Sequence, residues 1–279
     1  MTLTLFDGEH VTSVQQFVST VLKPPVRGIQ PFYRGVSRHY EYERTLPSVF
    51  RSQAKRDHEK VLFDQLLAMN PADFSNDSTT LDKLVRMQHH SLPTRLLDIT
   101  SNPLMALFFA CEGNPKREGE VLVFGVQDVD VKFPDSDRAS VMANLARLTP
   151  SQHAAIDTTL SREEFNESEP IKKLIHFIRQ EKPYFEARIN RRHVRSIMVI
   201  RGKQSNVRIR AQAGAFLLFG DGAQFSGSSK GEGILERVIK VQAEAKAKIY
   251  RELDQLNINE STVYPSLERS AAYISKRYS

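Results

Sequence analysis

Apolar residues recur at helical spacing early in the chain, at Val14, Phe17, Val18 and Val21, and Pro24, Pro25 and Gly28 then break the run. The extended segment from Gln30 to Val36 that follows puts Arg34 at a strand end. Helices are predicted from about Asp57 to Met69 and from about Leu81 to His89, the second opened by Thr79 as N-cap with Asp82 three residues on. The apolar face of that second helix is Leu81, Leu84 and Val85. One turn further along, the same face reaches Gln88 and His89, so polar side chains arrive on the side where apolar ones are buried. Such groups need partners. Pro93 restricts Leu92, so Ser91 to Ser101 reads as a loop. Asn102 and Pro103 then form a cap and first turn for a helix with Leu104, Leu107, Phe108 and Cys111 on its core face.

Val121 to Val126 is a strand by its β-branched and aromatic content, and helical patterns resume at Val141 to Leu148 and Ile171 to Ile178. Ile197 to Ile200, Ala215 to Phe219 and Ile234 to Val241 read as three more strands, the last two joined by a Gly/Ser-rich loop. A helix from about Glu244 to Leu256 and a short one after Pro265 close the chain. Strands cluster late and do not alternate regularly with helices, which favours an α+β fold, a mostly antiparallel central sheet with helices around it, over a doubly wound sheet. The expected organisation is an N-terminal helix and linker over 1–29, then one domain over 30–279 with a basic helical insertion at about 135–196. The chain carries no internal repeat.

Composition narrows the function classes only a little. Of 279 residues 40% are hydrophobic and 26% charged, as in ordinary globular proteins, and the net charge of +6 favours an anionic partner without naming one. No stretch approaches the roughly 20 apolar residues of a membrane span, and the N-terminal candidate from Val11 to Leu22 is interrupted by Ser13, Gln15, Gln16, Ser19 and Thr20. The single cysteine, Cys111, cannot form an intrachain disulfide, and its apolar neighbours suggest a buried, inert thiol. A cytoplasmic protein that does not engage a membrane is expected. P-loop, dinucleotide-fold and common zinc motifs are absent. Adjacent His89 and His90 point two ways from the chain, so no metal is expected. The densest basic region, Arg188 to Arg210, is either a solvated surface or a phosphate-contacting one.

The motifs that remain are Phe32-Tyr33-Arg34-Gly35 and the ordered polar run from Gln88 through His89, His90, Thr94, Arg95, Asp98, Thr100 and Asn102 to Pro103. These segments resemble the FRG domain, a bacterial family named for its Phe/Tyr-Arg-Gly motif. The stretch from Arg208 to Phe216, with Gln212, resembles a third block of that family, and Tyr264-Pro265-Ser266-Leu267 a fourth. The likeness thus extends from about Phe32 to Ile274.

The order of these parts is also similar to that in ADP-ribosyltransferase-like folds. That resemblance implies NAD as substrate, with Arg34 holding the dinucleotide, His90 or Thr94 bonding a ribose, and Gln212 at the position of a late catalytic Glu. Gln212 cannot supply negative charge, so Glu232 or Glu236 is the carboxylate expected in its place. Further ligand contacts are expected from Tyr33, Gly35, Gln88, His89, Thr94, Arg95, Asp98, Thr100, Asn102 and Phe216. Static roles compete with several of these. Arg95 and Asp98 can pair and pin the loop, Asn102 can be a helix cap, Gln88 a satisfied core amide, and Arg34 a partner of Asp98. Three functions follow. One is an NAD-using ADP-ribosyltransferase-like enzyme, a toxin or anti-phage effector with a protein target or antitoxin. The second is a nucleic-acid-binding protein using 188–210. The third is a nucleotide-sensing module without turnover.

Overall fold

A computed structural model describes residues 9–22, 27–40, 44–202, 207–225 and 234–278, apart from the side chains of 235 and 236. Its centre is an eight-stranded sheet in the order β1 (Glu9–Val11), β8 (Ile234–Val241), β4 (Gly119–Gln127), β2 (Ile29–Val36), β3 (Leu96–Thr100), β7 (Gly214–Phe219), β6 (Ile197–Arg201) and β5 (Val131–Lys132). Among the described residues only the outermost pairs, β1 with β8 and β5 with β6, are parallel. The fold is therefore α+β with a mostly antiparallel sheet. β3 was expected to be loop. Leu96, Leu97, Ile99 and Thr100 are all buried, so no period-two alternation marks the strand, and Pro93 and Pro103 flank it.

The sheet is two halves joined by a narrow seam. β2 pairs with β4 over eight positions and β3 with β7 over five, whereas β2 and β3 share the single pair Tyr33 with Thr100. Beyond that pair the strands separate, and the gap between them is where the candidate site lies.

Helices cover each half separately. On the β2 side, α1 (Val14–Val21), α5 (Pro103–Cys111) and α11 (Lys246–Gln255) pack on one sheet face around Phe17, Tyr33, Phe108, Val121, Ile239 and Ile249. The N-terminal stretch thus contributes β1 and α1 to this core. On the β3 side, α3 (Glu59–Met69), α4 (Thr80–His89) and α6 (Asp137–Asn144) pack around Leu84, Met87, Leu96, Met142, Phe216 and Leu218. The opposite face of both halves is a continuous cluster that includes Phe32, Leu97, Ile99, Phe124, Leu217 and Phe219, with Phe50 and Phe225 against it. The 135–196 region adds α8 (Arg162–Glu167) and α9 (Glu169–Glu181), whose apolar faces meet around Val141, Phe165, Leu174 and Ile178.

Local signals account for the elements beside the gap. Thr79 and Asp82 form the capping box of α4, and Asn102 accepts from the Leu104 amide with Pro103 in the first turn of α5. The glycine of the aromatic-Arg-Gly motif has a packing reason. A Cβ on Gly35 would stand 1.8 Å from the Ala106 carbonyl oxygen, so α5 can lie on β2 only because position 35 has no side chain. Cys111 is buried as expected, and burial pushes its thiol up to about 12, which leaves it an unreactive core residue.

Candidate functional site at the seam of the sheet

Arg34 projects from β2 into the opening between β2 and β3. Its Nη1 donates to the main-chain carbonyl of Asp98 at 2.8 Å and its Nε to that of Arg44 at 3.1 Å. Burial lowers its pKa and the Asp98 charge opposes that shift, yet a guanidinium stays protonated at any ordinary pH. Two of its five N–H groups are thus used on carbonyls. Arg34 and Gly35 line a cleft of about 190 Å³ with Tyr33, Asp98, Ile99, Thr100, Phe109, Arg208 and Gln212. An adjoining cleft of about 290 Å³ shares Arg34, Gly35 and Phe109 and adds Tyr40, Arg44, Arg51 and Glu112. Together the charged lining residues are four arginines and two carboxylates, and with Arg44 paired to the buried Glu120 at 2.9 Å three arginines still face two carboxylates, a balance that suits an anion.

Gln212 reaches this cleft from the turn between α10 (Val207–Ala211) and β7. Ala213 there has φ 47°, in the left-handed region, and the end of β3 clamps the turn. Thr100 Oγ1 donates to the Gln212 carbonyl at 2.7 Å and accepts from the Asn102 amide at 2.9 Å, while the Ser101 amide donates to the Ala213 carbonyl at 3.0 Å. The Gln212 side chain donates to the Val263 carbonyl at 3.0 Å. Arg208, one helical turn earlier, lies over the Tyr264 ring at 5.5 Å, and Tyr264 donates to Glu112 at 2.7 Å. The second and third blocks of the sequence therefore meet the first at one place.

The polar run after α4 is a connected network. The Leu96 amide donates to Thr94 Oγ1 at 3.1 Å, Thr94 Oγ1 donates to Gln88 Oε1 at 2.6 Å, and Gln88 Nε2 donates to Asp98 Oδ2 at 2.6 Å. Thr94 is buried and Asp98 exposed. Arg95 does not pair with Asp98. It is 0% exposed and forks onto Glu59, with Nε on Oε1 at 2.8 Å and Nη2 on Oε2, while Nη1 donates to the Phe219 carbonyl at 3.3 Å. The strand alternation that was not seen in the sequence is the reason, since Arg95 and Asp98, three apart in extended chain, point to opposite faces.

The two histidines stand apart from the Arg34 cleft. His89 is half-buried with its ring 6.2 Å from that of Phe216, and burial holds its imidazole below the ordinary value, Asp98 opposing and Arg208 adding to the shift. His90 is the exposed C-cap of α4 and lines a different pocket with His89, Arg86, Arg201, Ile209 and Phe216. Glu236 pairs with Phe124 through its backbone in β8, its side chain lying outside the described residues, as does all of Glu232. Among the described residues no group of three or more His, Cys, Asp and Glu is placed to hold a metal.

The basic 188–210 region spreads over several sites. Arg188 pairs with Glu186, Arg191 donates to the Leu160 carbonyl, Arg195 lines a cavity with His153 and Asp221, Arg201 donates to Gln30 at 2.7 Å, and Arg208 faces the seam. Lys203 lies outside the described residues. Arg44, Arg51, Phe109 and Glu59 were not singled out in the sequence. Arg44 and Arg51 carry no local motif, and Phe109 reads there as one more residue of an apolar helix.

No helix among the described residues is long and apolar enough to cross a membrane. No curated protein and no solved structure matches the chain. Residues 30–119 match the FRG domain, a span that begins with β2, takes in α4, β3 and α5 and ends as β4 starts. With its Tyr33-Arg34-Gly35 strand and its Gln88 to Asn102 network both inside that span, the chain carries an FRG domain at residues 30–119.

Proposed function

We propose that the seam cleft binds NAD and that the protein is an ADP-ribosyltransferase-like enzyme. One observation carries this reading: Arg34 from β2, Thr100 from β3 and Gln212 from the turn before β7 line a single cleft, in the chain order that the resemblance implies. In this arrangement Thr100 takes the middle place that the resemblance gives to His90 or Thr94, since His90 lines a different pocket and Thr94 is buried and bonded to Gln88.

The chemistry fits the lining. Arg34, with Arg51 and Arg208 nearby, offers forked donors to a pyrophosphate, and Tyr40 and Phe109 offer ring surface to a base or nicotinamide. In the reaction the bond from ribose C1′ to the nicotinamide nitrogen breaks with its electron pair going to that nitrogen, and nicotinamide leaves neutral. Positive charge passes to C1′ and the ring oxygen until a nucleophile oxygen, from water or a target hydroxyl, bonds C1′ and releases its proton to solvent. Such a step depends on orientation and on charge placed around the sugar, more than on a protein nucleophile.

A toxin or anti-phage role with a protein target or antitoxin belongs to this proposal. The neutral Gln212 favours a second reading, in which the cleft senses a nucleotide without turning it over. Nicotinamide release from NAD by the purified chain, with and without cell lysate, separates the two. The enzyme reading expects release that disappears in Arg34→Ala, whereas NAD binding with no release under any condition supports the sensor.

A further inference from the structure

The seam cleft has an arginine for phosphate and an amide at position 212, but a glycosidic bond that breaks toward a cation is helped most by fixed negative charge beside the sugar. Two carboxylates line the adjoining clefts, Asp98 and Glu112. Glu112 accepts the Tyr264 hydroxyl at 2.7 Å. Asp98 differs from it in how its donor is held.

Asp98, like Glu112, accepts from a neutral donor and enters no salt bridge among the described residues. Its carboxylate accepts from the neutral Gln88 amide, and the Arg34 contact goes to the Asp98 main-chain oxygen instead. Its negative charge is therefore held without being matched by a bonded cation. The side chain that holds it is itself fixed. Thr94 donates to Gln88 Oε1, which settles which end of the amide faces Asp98, and the Leu96 amide settles the direction of the Thr94 hydroxyl. A buried threonine and a half-buried glutamine are thus committed to orienting one exposed carboxylate, a group that the surface of a protein ordinarily leaves to water.

We infer that Asp98, oriented by Gln88 and Thr94 at the edge of the Arg34 and Gln212 cleft, is the carboxylate that stabilises the ribosyl cation as nicotinamide leaves. This role rests on the NAD reading above. Asp98 accepts a hydrogen bond from a ribose hydroxyl and faces the developing positive charge, and it forms no covalent bond. Gln88 is a positioning residue, acting through Asp98. The charge that the neutral Gln212 lacks is then supplied from β3, four residues after Thr94 in the same motif.

The test measures NAD affinity by calorimetry and nicotinamide release in parallel, for wild type, Asp98→Asn and Gln88→Ala. Loss of one preorganised charged group lowers release in Asp98→Asn by about 100-fold or more, with NAD affinity little changed. Gln88→Ala lowers kcat by roughly 10-fold with KM for NAD unchanged, because the carboxylate stays but is no longer held. Release by Asp98→Asn equal to that of wild type would overturn the role and leave the NAD reading standing, as would loss of binding in step with loss of release. A wild-type chain that neither binds nor cleaves NAD would overturn both. Should Asp98→Asn fail to fold, the kcat and KM of Gln88→Ala decide the matter alone.

Discussion

Arg34 donates through Nη1 to the main-chain carbonyl of Asp98 across the point at which β2 and β3 part, so one side chain closes a gap that no ladder bond spans. The same guanidinium also holds the Arg44 carbonyl. Removing it leaves backbone acceptors without a donor in a partly enclosed site, at a cost of about 1–3 kcal/mol. Arg34→Lys keeps the charge but not the fork, so it is expected to lose both stability and NAD affinity. Urea unfolding beside an NAD titration checks both.

The Arg95 and Glu59 pair predicts a different outcome. Both are buried and joined by two bonds, so Glu59→Gln leaves a buried guanidinium without its counter-charge and is expected to cost about 3–5 kcal/mol. Asp98→Asn, on an exposed side chain, is expected to stay within about 0.5 kcal/mol of wild type. Denaturant midpoints of the two variants give the comparison directly. Equal effects would contradict this assignment of partners.

Gly35→Ala tests the contact between strand and helix. The added methyl would meet the Ala106 carbonyl, which is backbone and cannot rotate away, so α5 must shift off β2. The cost is expected at about 3 kcal/mol or more, at the upper end of overpacking changes, and thermal unfolding by circular dichroism would show it. Since Phe109 of α5 lines both clefts, ligand affinity should fall as well.

Two histidines set a pH dependence. Burial, first of all, holds His89 and His193 below their ordinary 6.5, with Arg208 adding at His89 and Arg138 with Lys132 at His193. The unfolded chain therefore takes up these protons before the folded one does. Their contribution is full above pH 6.5 and is lost as pH falls below that value. Unfolding midpoints should drop as pH falls below 6.5, and a His89→Gln, His193→Gln double variant should flatten that drop.

Much of this was legible in the sequence where a local rule governs. The caps at Thr79 and Asn102, the α+β class, the strand of Arg34 and the buried Cys111 each follow from short-range chemistry or period. β3 was not legible, because a strand between two prolines with buried residues on both faces and only Asp98 exposed has no alternation to read. That single omission also put Arg95 and Asp98 together, since only an extended backbone sends them to opposite faces. Glu59 lies 36 residues from Arg95 and no spacing rule links them. The motif residues Arg34 and Gln212 were legible as candidates, whereas their company in the cleft, Arg44, Arg51 and Phe109, is a product of the fold.

The proposed dinucleotide site is the seam between β2 and β3. Calorimetric titration of NAD into the wild-type chain and into Arg208→Ala tests it most directly, since Arg208 lines the cleft over Tyr264 and its loss leaves the Arg34 bridge in place. Saturable one-to-one binding in wild type, weakened about 10-fold or more in a variant that remains folded, is the predicted result, as expected for one charge-assisted phosphate contact. No heat of binding in wild type, or equal affinity in the two proteins, would contradict it.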